Sequence, residues 1–418
     1  MTMSSSCGLA LAAAFCASAA TFPFNEKIAA CAAAGGGRVV VPAGEWRTGA
    51  IRLRSNVELH LEEGATVLFS DRLEDHLPAV RTTCGGIECW GYSSHVYGFE
   101  ATNIAITGKG VLKTLKPSWS WEYWKAHKDD ADFRQLAAAG AQLRQWGADG
   151  TPVEARQFWK IAGPRARMQF IHLERCRDVR LEGFRIRGSP MWAVHLYRCA
   201  DVVARGLDIS ARGLNTDGFD IEMTRDVLIE GCTLDQQDDG FTIKAGKDAA
   251  GRAVGIPTEN VLIRNCHVKN AHGILVVGSE VSAGVRNIRL ENCTADVVLN
   301  GCYLKTNPWR GGFIEDVWFE NVACSNAHKA AFAIETDVTY GQQPLPGAEV
   351  CLTRIRNIHV RNATFKKATH VMKLKGDARL PVENVTVENL RVGYVRKPET
   401  NIVENVRGLK VDAKAILW

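Results

Sequence analysis

The sequence predicts an all-β chain wound as a parallel β-helix, and three observations carry that prediction. One short unit recurs: "DVRLEGFRI" at Asp178, "DVVARGLDI" at Asp201, "DVLIEGCTL" at Asp226, "NVLIRNCHV" at Asn260, "NIRLENCTA" at Asn287, "DVWFENVAC" at Asp316, "NIHVRNATF" at Asn357 and "NVTVENLRV" at Asn384. Each is an Asn or Asp followed by a β-rich run with alternating large apolar residues, the pattern of a strand with one buried face. Successive units start 23, 25, 34, 27, 29, 41 and 27 residues apart with no helical stretch between them, which is the period of a solenoid. The L-x-x-L-x-L pattern of a leucine-rich repeat, the other architecture of this period, is absent. Finally, the 418 residues contain no Pro-, Ser- or charge-rich linker, so 21–418 reads as one elongated domain.

Taken in chain order, "CGLALAAAFCASAA" from Cys7 ends in the A-x-A-like Ala17-Ser18-Ala19, although Met1 to Ser6 carry no positive charge. Residues 1–20 therefore read as a candidate signal peptide, which favours a secreted or periplasmic location. An insertion over 115–170 breaks the repeat. It holds Trp119, Trp121, Trp124, Trp146 and Trp159 with several arginines, Arg167 among them, and its pattern predicts a helix from about Asp129 to Gln145. Aromatic faces suit sugar rings and guanidinium groups suit uronate carboxylates, while a cap with its own small core is the equal alternative. Further on, Cys232, Cys266 and Cys293 occupy one position in three successive units, which predicts a ladder of buried free thiols inside the coil.

Each central unit is followed by a second run: "WAVHL" from Trp192, "DGFDI" from Asp217, "DGFTI" from Asp239, "HGILV" from His272 and "NGCYL" from Asn300. Position two is small, and positions three and five are apolar or nearly so. If the strand continued backward, position one would be buried, and an unpaired carboxylate there would cost several kcal/mol. The pattern instead predicts a turn at the small residue, with Trp192, Asp217, Asp239, His272 and Asn300 projecting from one corner in a column spaced about 4.8 Å apart. Asp238 joins from the side. A second column is expected to contain Glu222, Lys244 and Lys305, with Tyr303 two places before Lys305.

Three clustered carboxylates cannot all ionise cheaply, so one is expected to hold a proton near neutral pH. A protonated acid beside ionised carboxylates is the equipment of glycoside hydrolysis. A lone Asp-Gly would read as a turn cap, but three acids and a histidine in one register do not. A calcium ion held by Asp217, Asp238 and Asp239 is a lesser alternative, and no metal site is expected. The net charge of +5 suits an acidic polysaccharide. The sequence lacks a Lys/Arg block, a zinc-type cysteine spacing, a phosphate-cradling loop and a long apolar span, so neither nucleic acid nor membrane is an expected partner.

At these residues the sequence resembles the polygalacturonase family of glycoside hydrolases, family 28. The family's Asn-Thr-Asp matches Asn215-Thr216-Asp217 and its Asp-Asp pair matches Asp238-Asp239. Its Gly-His-Gly matches Ala271-His272-Gly273, its Arg-Ile-Lys matches Tyr303-Leu304-Lys305, and "VGSEVSAGVRNI" from Val277 is similar to its Gly-Ser-Glu segment. The resemblance runs from Gly35 to near Arg310 and implies a right-handed parallel β-helix that works without a cofactor. It implies Asp238 as general acid, Asp217 and Asp239 as the groups that position and deprotonate water, His272 as tuner of the acid, and Lys305 as grip on a substrate carboxylate. Asn215, Tyr303, Lys244, Arg167 and Trp192 complete the candidate substrate-binding set. The family inverts configuration, whereas carboxylates one rung apart, at about 5 Å, usually read as retaining. The long insertion resembles those of members that act on chain ends. Tyr303 stands where the family has an arginine, which removes one anion contact. The family's opening segment is missing before "FNEKIAACAAAGGGRV".

The expectation is an exo-acting, inverting hydrolase of α-1,4-galacturonosidic linkages in pectic polysaccharide or oligogalacturonides. A rhamnogalacturonan- or rhamnose-directed hydrolase is the alternative that Tyr303 suggests. A pectate lyase, which needs calcium and an arginine base, and a non-catalytic polysaccharide-binding β-helix are the alternatives of other classes.

Overall fold

The computed structural model describes residues 22–115, 118–397, 399 and 401–412, and the candidate signal peptide lies outside the described residues. The eight repeat units stack in one parallel column, one above the next. The first apolar residues of the units pair in order: Val179 with Val202, Val202 with Val227, Val227 with Val261, Val261 with Ile288, Ile288 with Val317, Val317 with Ile358, and Ile358 with Val385. Their side chains are at most 3 % exposed and belong to a continuous apolar core that runs through the coils. The winding is that of a right-handed parallel β-helix.

The structure explains why every unit begins with Asn or Asp. All eight of these residues have positive φ, between 52° and 58°. That left-handed conformation costs most L-residues about 1 kcal/mol or more and is tolerated best, after glycine, by Asn and Asp. Their side chains also bond from rung to rung: Asn260 Nδ2 donates to Asp226 Oδ1 at 2.9 Å, Asn287 to Asn260 at 2.7 Å, Asn357 to Asp316 at 2.9 Å and Asn384 to Asn357 at 3.2 Å. The turn residue therefore also serves as a cross-rung tie. As expected, Cys232, Cys266 and Cys293 are buried free thiols in neighbouring rungs, and the Cys232 amide donates to the Cys266 sulfur at 3.4 Å.

Helix α1 (Phe24–Ala33) turns Phe24 and Ile28 into the apolar core at the first described coil. The insertion forms α2 (Trp121–His127), α3 (Ala131–Ala148) and α4 (Phe158–Ile161); the expected helix thus begins two residues later and ends three residues later than its pattern suggests. Ser120 caps α2 by accepting from the Tyr123 amide. An antiparallel hairpin, Val80–Cys84 with Ile87–Gly91, packs against the insertion. Ile87, Cys89, Ala139, Leu143, Phe158, Ala162 and Ala166 form a second core there. A short helix, α5 (Asp248–Val254), follows the second Asp-Gly-Phe run.

Candidate active site

The strands Val194–Tyr197, Phe219–Glu222, Phe241–Lys244, His267–Gly278 and Thr294–Lys305 lie side by side and set the geometry. Phe219 pairs with Phe241, Phe241 with Leu275 and Leu275 with Cys302. Just before these strands the backbone ladder continues, with Ala193 N donating to Asp217 O, Gly218 N to Asp239 O and Gly240 N to Gly273 O. Trp192, Asp217, Asp239, Gly273 and Asn300 therefore share one column.

The expected column is corrected in two respects. His272 stands over Asp238, one residue out, and its amide donates to the Asp238 carbonyl at 2.7 Å. Aligning the runs on their small residue misplaces it, because the position in line with Gly218 and Gly240 is taken by Ile274, which is fully buried. The glycines also act differently from the expectation. Gly218 and Gly240 have no positive φ; a Cβ on Gly218 would sit 2.7 Å from the Gly240 carbonyl oxygen. Close approach of successive rungs, not a turn conformation, requires glycine there.

The acids gather at one edge outside the apolar interior, yet they do not face open water. Asp217 is 3 % exposed, Asp239 2 % and Asp238 8 %. His272 Nδ1 lies 3.2 Å from Asp238 Oδ1, and Lys305 Nζ donates to Asp239 Oδ2 at 2.8 Å. Thr242 Oγ1 reaches Asp217 Oδ2 at 3.4 Å, while Asp217 Oδ1 is buried without a partner. Burial, with the charges of Asp220 and Asp238, pushes the Asp217 carboxyl well above its usual range. Burial also raises Asp238, but the His272 hydrogen bond and the cations His272, Lys305 and Lys244 outweigh it and hold Asp238 below its ordinary value. His272 is raised in return: burial works against its charge, and Asp238 restores it. Burial thus favours the neutral form of Asp217, and the Asp238 contact favours the protonated imidazole, whereas the resemblance gives the acid role to Asp238.

The second column forms as expected, with Glu222 paired to Lys244 and Gly278 to Lys305. Lys244 Nζ lies 3.2 Å from Glu280, 3.5 Å from Asp220 and 4.8 Å from the centre of the Trp192 ring. Glu222 is fully buried, accepts from Gly246 N and meets His195 Nε2 at 2.9 Å; burial pushes its carboxyl up to about 8. Arg167 holds the insertion to the Asn-Thr-Asp turn, donating to Leu214 O at 2.6 Å and to Asn215 Oδ1 at 2.9 Å with its guanidinium over Trp119. Asn300 accepts from Ala330 N, a contact between rungs. Tyr303 lies with its ring 5.5 Å from Lys305 Nζ.

Two groups here are not singled out by the sequence pattern, and a third, Trp121, is named there only as one of the insertion's five tryptophans. Asp220, in the same run as Asp217, is wholly buried with neither carboxylate oxygen hydrogen-bonded, and burial pushes its carboxyl well above the usual range against the pull of Lys244. Tyr340, on an irregular loop, is largely exposed with its ring 5.7 Å from Lys305 Nζ. Trp121 of the insertion stands 6.2 Å from the His272 ring. Asp238, Asp239 and His272 bring donor atoms within 4.8 Å of one another. Lys305 already donates to Asp239 Oδ2, so an ion between these groups would compete with that ammonium.

A β-helix that carries three carboxylates, an imidazole and paired lysines on one edge defines a carbohydrate-hydrolysing enzyme. The family model described as glycosyl hydrolases family 28 matches residues 124–414. The chain belongs to that family and is a glycoside hydrolase. It is similar to a hyperthermoactive exopolygalacturonase from Thermotoga maritima, with 33% identity and a TM-score of 0.79 over 93% of this chain and 87% of that one. A probable polygalacturonase from Vitis vinifera is 24% identical over 87% of this chain and 68% of its own length. An exo-poly-alpha-D-galacturonosidase from Dickeya chrysanthemi is 24% identical over 82% of this chain and 60% of its own.

Proposed function

We propose that the enzyme hydrolyses α-1,4-galacturonosidic linkages in pectic polysaccharide, acting from chain ends and inverting the anomeric carbon. The observation that carries this reading is the closure of the acid cluster on several sides. Trp121 stands over His272, Arg167 ties the insertion to Asn215, and Tyr340 leans over Lys305. The hairpin tip at Gly86 meets Glu222 and Glu280: a Cβ on Gly86 would lie 3.2 Å from each side chain. A walled site admits a chain end more readily than the middle of a polymer.

In this mechanism the Asp238–His272 pair stores the proton given to the leaving oxygen; Asp238 is the most exposed of the three acids, and its contact raises the imidazole above its ordinary value. Asp239, fixed by Lys305, and Asp217 position the water that attacks from the opposite face. Lys305 and Lys244 bring positive charge to an acidic substrate. A pectic polymer as substrate accords with a secreted or periplasmic location.

The test is product analysis on trigalacturonate and polygalacturonate, with anomeric configuration followed by NMR. Monomeric galacturonate of inverted configuration, released with little fall in polymer viscosity, is the expected result; mixed oligomers or a retained anomer would reject the mode or the stereochemistry. Tyr303, in place of the family's arginine, favours one second reading, a rhamnogalacturonan-directed hydrolase. Faster cleavage of rhamnogalacturonan than of galacturonan oligomers would select it.

A further inference from the structure

Most cations at the site are already engaged. Lys305 is bonded to Asp239, Lys244 lies between Glu280 and Asp220, Arg310 bonds Asp248 and Ser279, and Arg167 donates to carbonyls and to Asn215. Lys247 differs. It is 8 % exposed, and among the described residues its ammonium has no hydrogen-bond acceptor and no carboxylate within 4.0 Å. With no protein partner, that ammonium is free to meet an incoming anion.

The surroundings place Lys247 on the wall of the walled site. Its amide donates to Gly86 O at 3.1 Å, beneath the hairpin tip, and a Cβ on Gly86 would lie 3.2 Å from the Lys247 Cβ as well as from Glu222 and Glu280. Half-buried Cys84, at the same tip, senses the charges of both Lys247 and Arg167. Around Lys247 stand the cations Arg310 and Arg144 and the anions Glu280 and Asp248, so Lys247 is one positive charge in excess. Glu280 is already shared with Lys244 and Arg310. Arg144, on α3 of the insertion, donates from Nη2 to Gln343 O, and its buried Nε has no partner.

We infer that Lys247, backed by Arg144, is a carboxylate-binding position for a uronate sugar, supplying the cation that Tyr303 does not. It rests on the galacturonan reading and deepens it, because two separated anion contacts, Lys305 and Lys247, select a substrate bearing more than one carboxylate over one ending in a neutral sugar. An arriving carboxylate satisfies the ammonium through a charge-assisted hydrogen bond, the strong class of such contacts. Burial and the charge of Arg310 hold Lys247 below the ordinary lysine value, and a bound anion would raise it again.

The experiment measures binding of D-galacturonate, its methyl ester and D-galactose by calorimetry to the full-length wild type, Lys247→Met and Lys247→Arg. Loss of one charge-assisted contact predicts roughly 10- to 100-fold weaker galacturonate binding by Lys247→Met. Galactose and methyl-ester binding are expected to stay unchanged, Lys247→Arg to stay within a few-fold of wild type, and the melting temperature of Lys247→Met not to fall. Equal galacturonate affinity in Lys247→Met and wild type, or no galacturonate binding by the wild type, overturns the inference. The galacturonan reading is tested separately by wild-type turnover of trigalacturonate. If turnover is absent while Lys247→Met still loses galacturonate affinity, the activity is wrong and the carboxylate position stands.

Discussion

Columns of Asn and Asp side chains climb this solenoid, and two of them are opposites in how their hydrogen bonds close. In the ladder that includes Asp226, Asn260 and Asn287, each amide donates to the residue below, and the side chains are partly open to solvent. At the acid edge, Asp217 and Asp220 are buried, and three of their carboxylate oxygens accept no hydrogen bond, although Lys244 Nζ lies 3.5 Å from Asp220 Oδ1. Residue type and repetition are shared; satisfaction is not. A closed ladder stabilises the coil, whereas an unsatisfied one holds groups ready for something the protein does not contain.

The comparison can be broken first at Asp238. Asp238→Asn is expected to lower turnover on trigalacturonate by about 10³-fold or more with a nearly unchanged melting temperature. A large fall in melting temperature with modest loss of turnover would make Asp238 a ladder residue. Asp217→Asn is expected to cost about 10²-fold in turnover, and because burial disfavours the charged form of this carboxyl, the neutral amide is expected not to lower the calorimetric melting temperature.

A sharper version uses pH. Because the folded pKa of His272 is raised, its imidazolium stabilises the folded chain below the ordinary imidazole value, and that contribution is lost as pH rises through the folded value. Denaturant titrations between pH 5 and 9 (a range bracketing the ordinary value of about 6.5) should show this decline in wild type and not in His272→Gln, which should also lose the alkaline limb of its turnover profile. The smallest effect belongs to the closed ladder. Asn260→Ala, at φ 58°, is expected to cost about 1–2 kcal/mol in urea unfolding with turnover unchanged, and Asn260→Gly less.

The legible parts of the sequence are those that repeat. The eight units sit in the order and register that their alternation implies, and Asp217 and Asp239 meet because their runs share one pattern. His272 falls one residue out because a small side chain is a poor marker of register, whereas the ladder keeps an offset of 34 residues at Phe241 and Leu275, the same as between Asp226 and Asn260. Asp220 is in plain view in "DGFDI", but alternation alone makes it an outward, solvated residue; only the covering segments bury it. Those segments do not repeat. The hairpin carries its own signal, Gly85-Gly86 between two short runs, which the solenoid reading passes over. Tyr340 and Lys247 stand on connections whose paths no periodicity encodes.

The second apolar core joins residues far apart in the chain. Ile87 and Cys89 come from the hairpin, while Ala139, Leu143, Phe158, Ala162 and Ala166 come from the insertion. The insertion is therefore not a detachable module: excising it would strip the hairpin of its packing face, and grafting it onto another solenoid would leave its own face bare. An engineer wishing to open the site would have to redesign the hairpin in the same step.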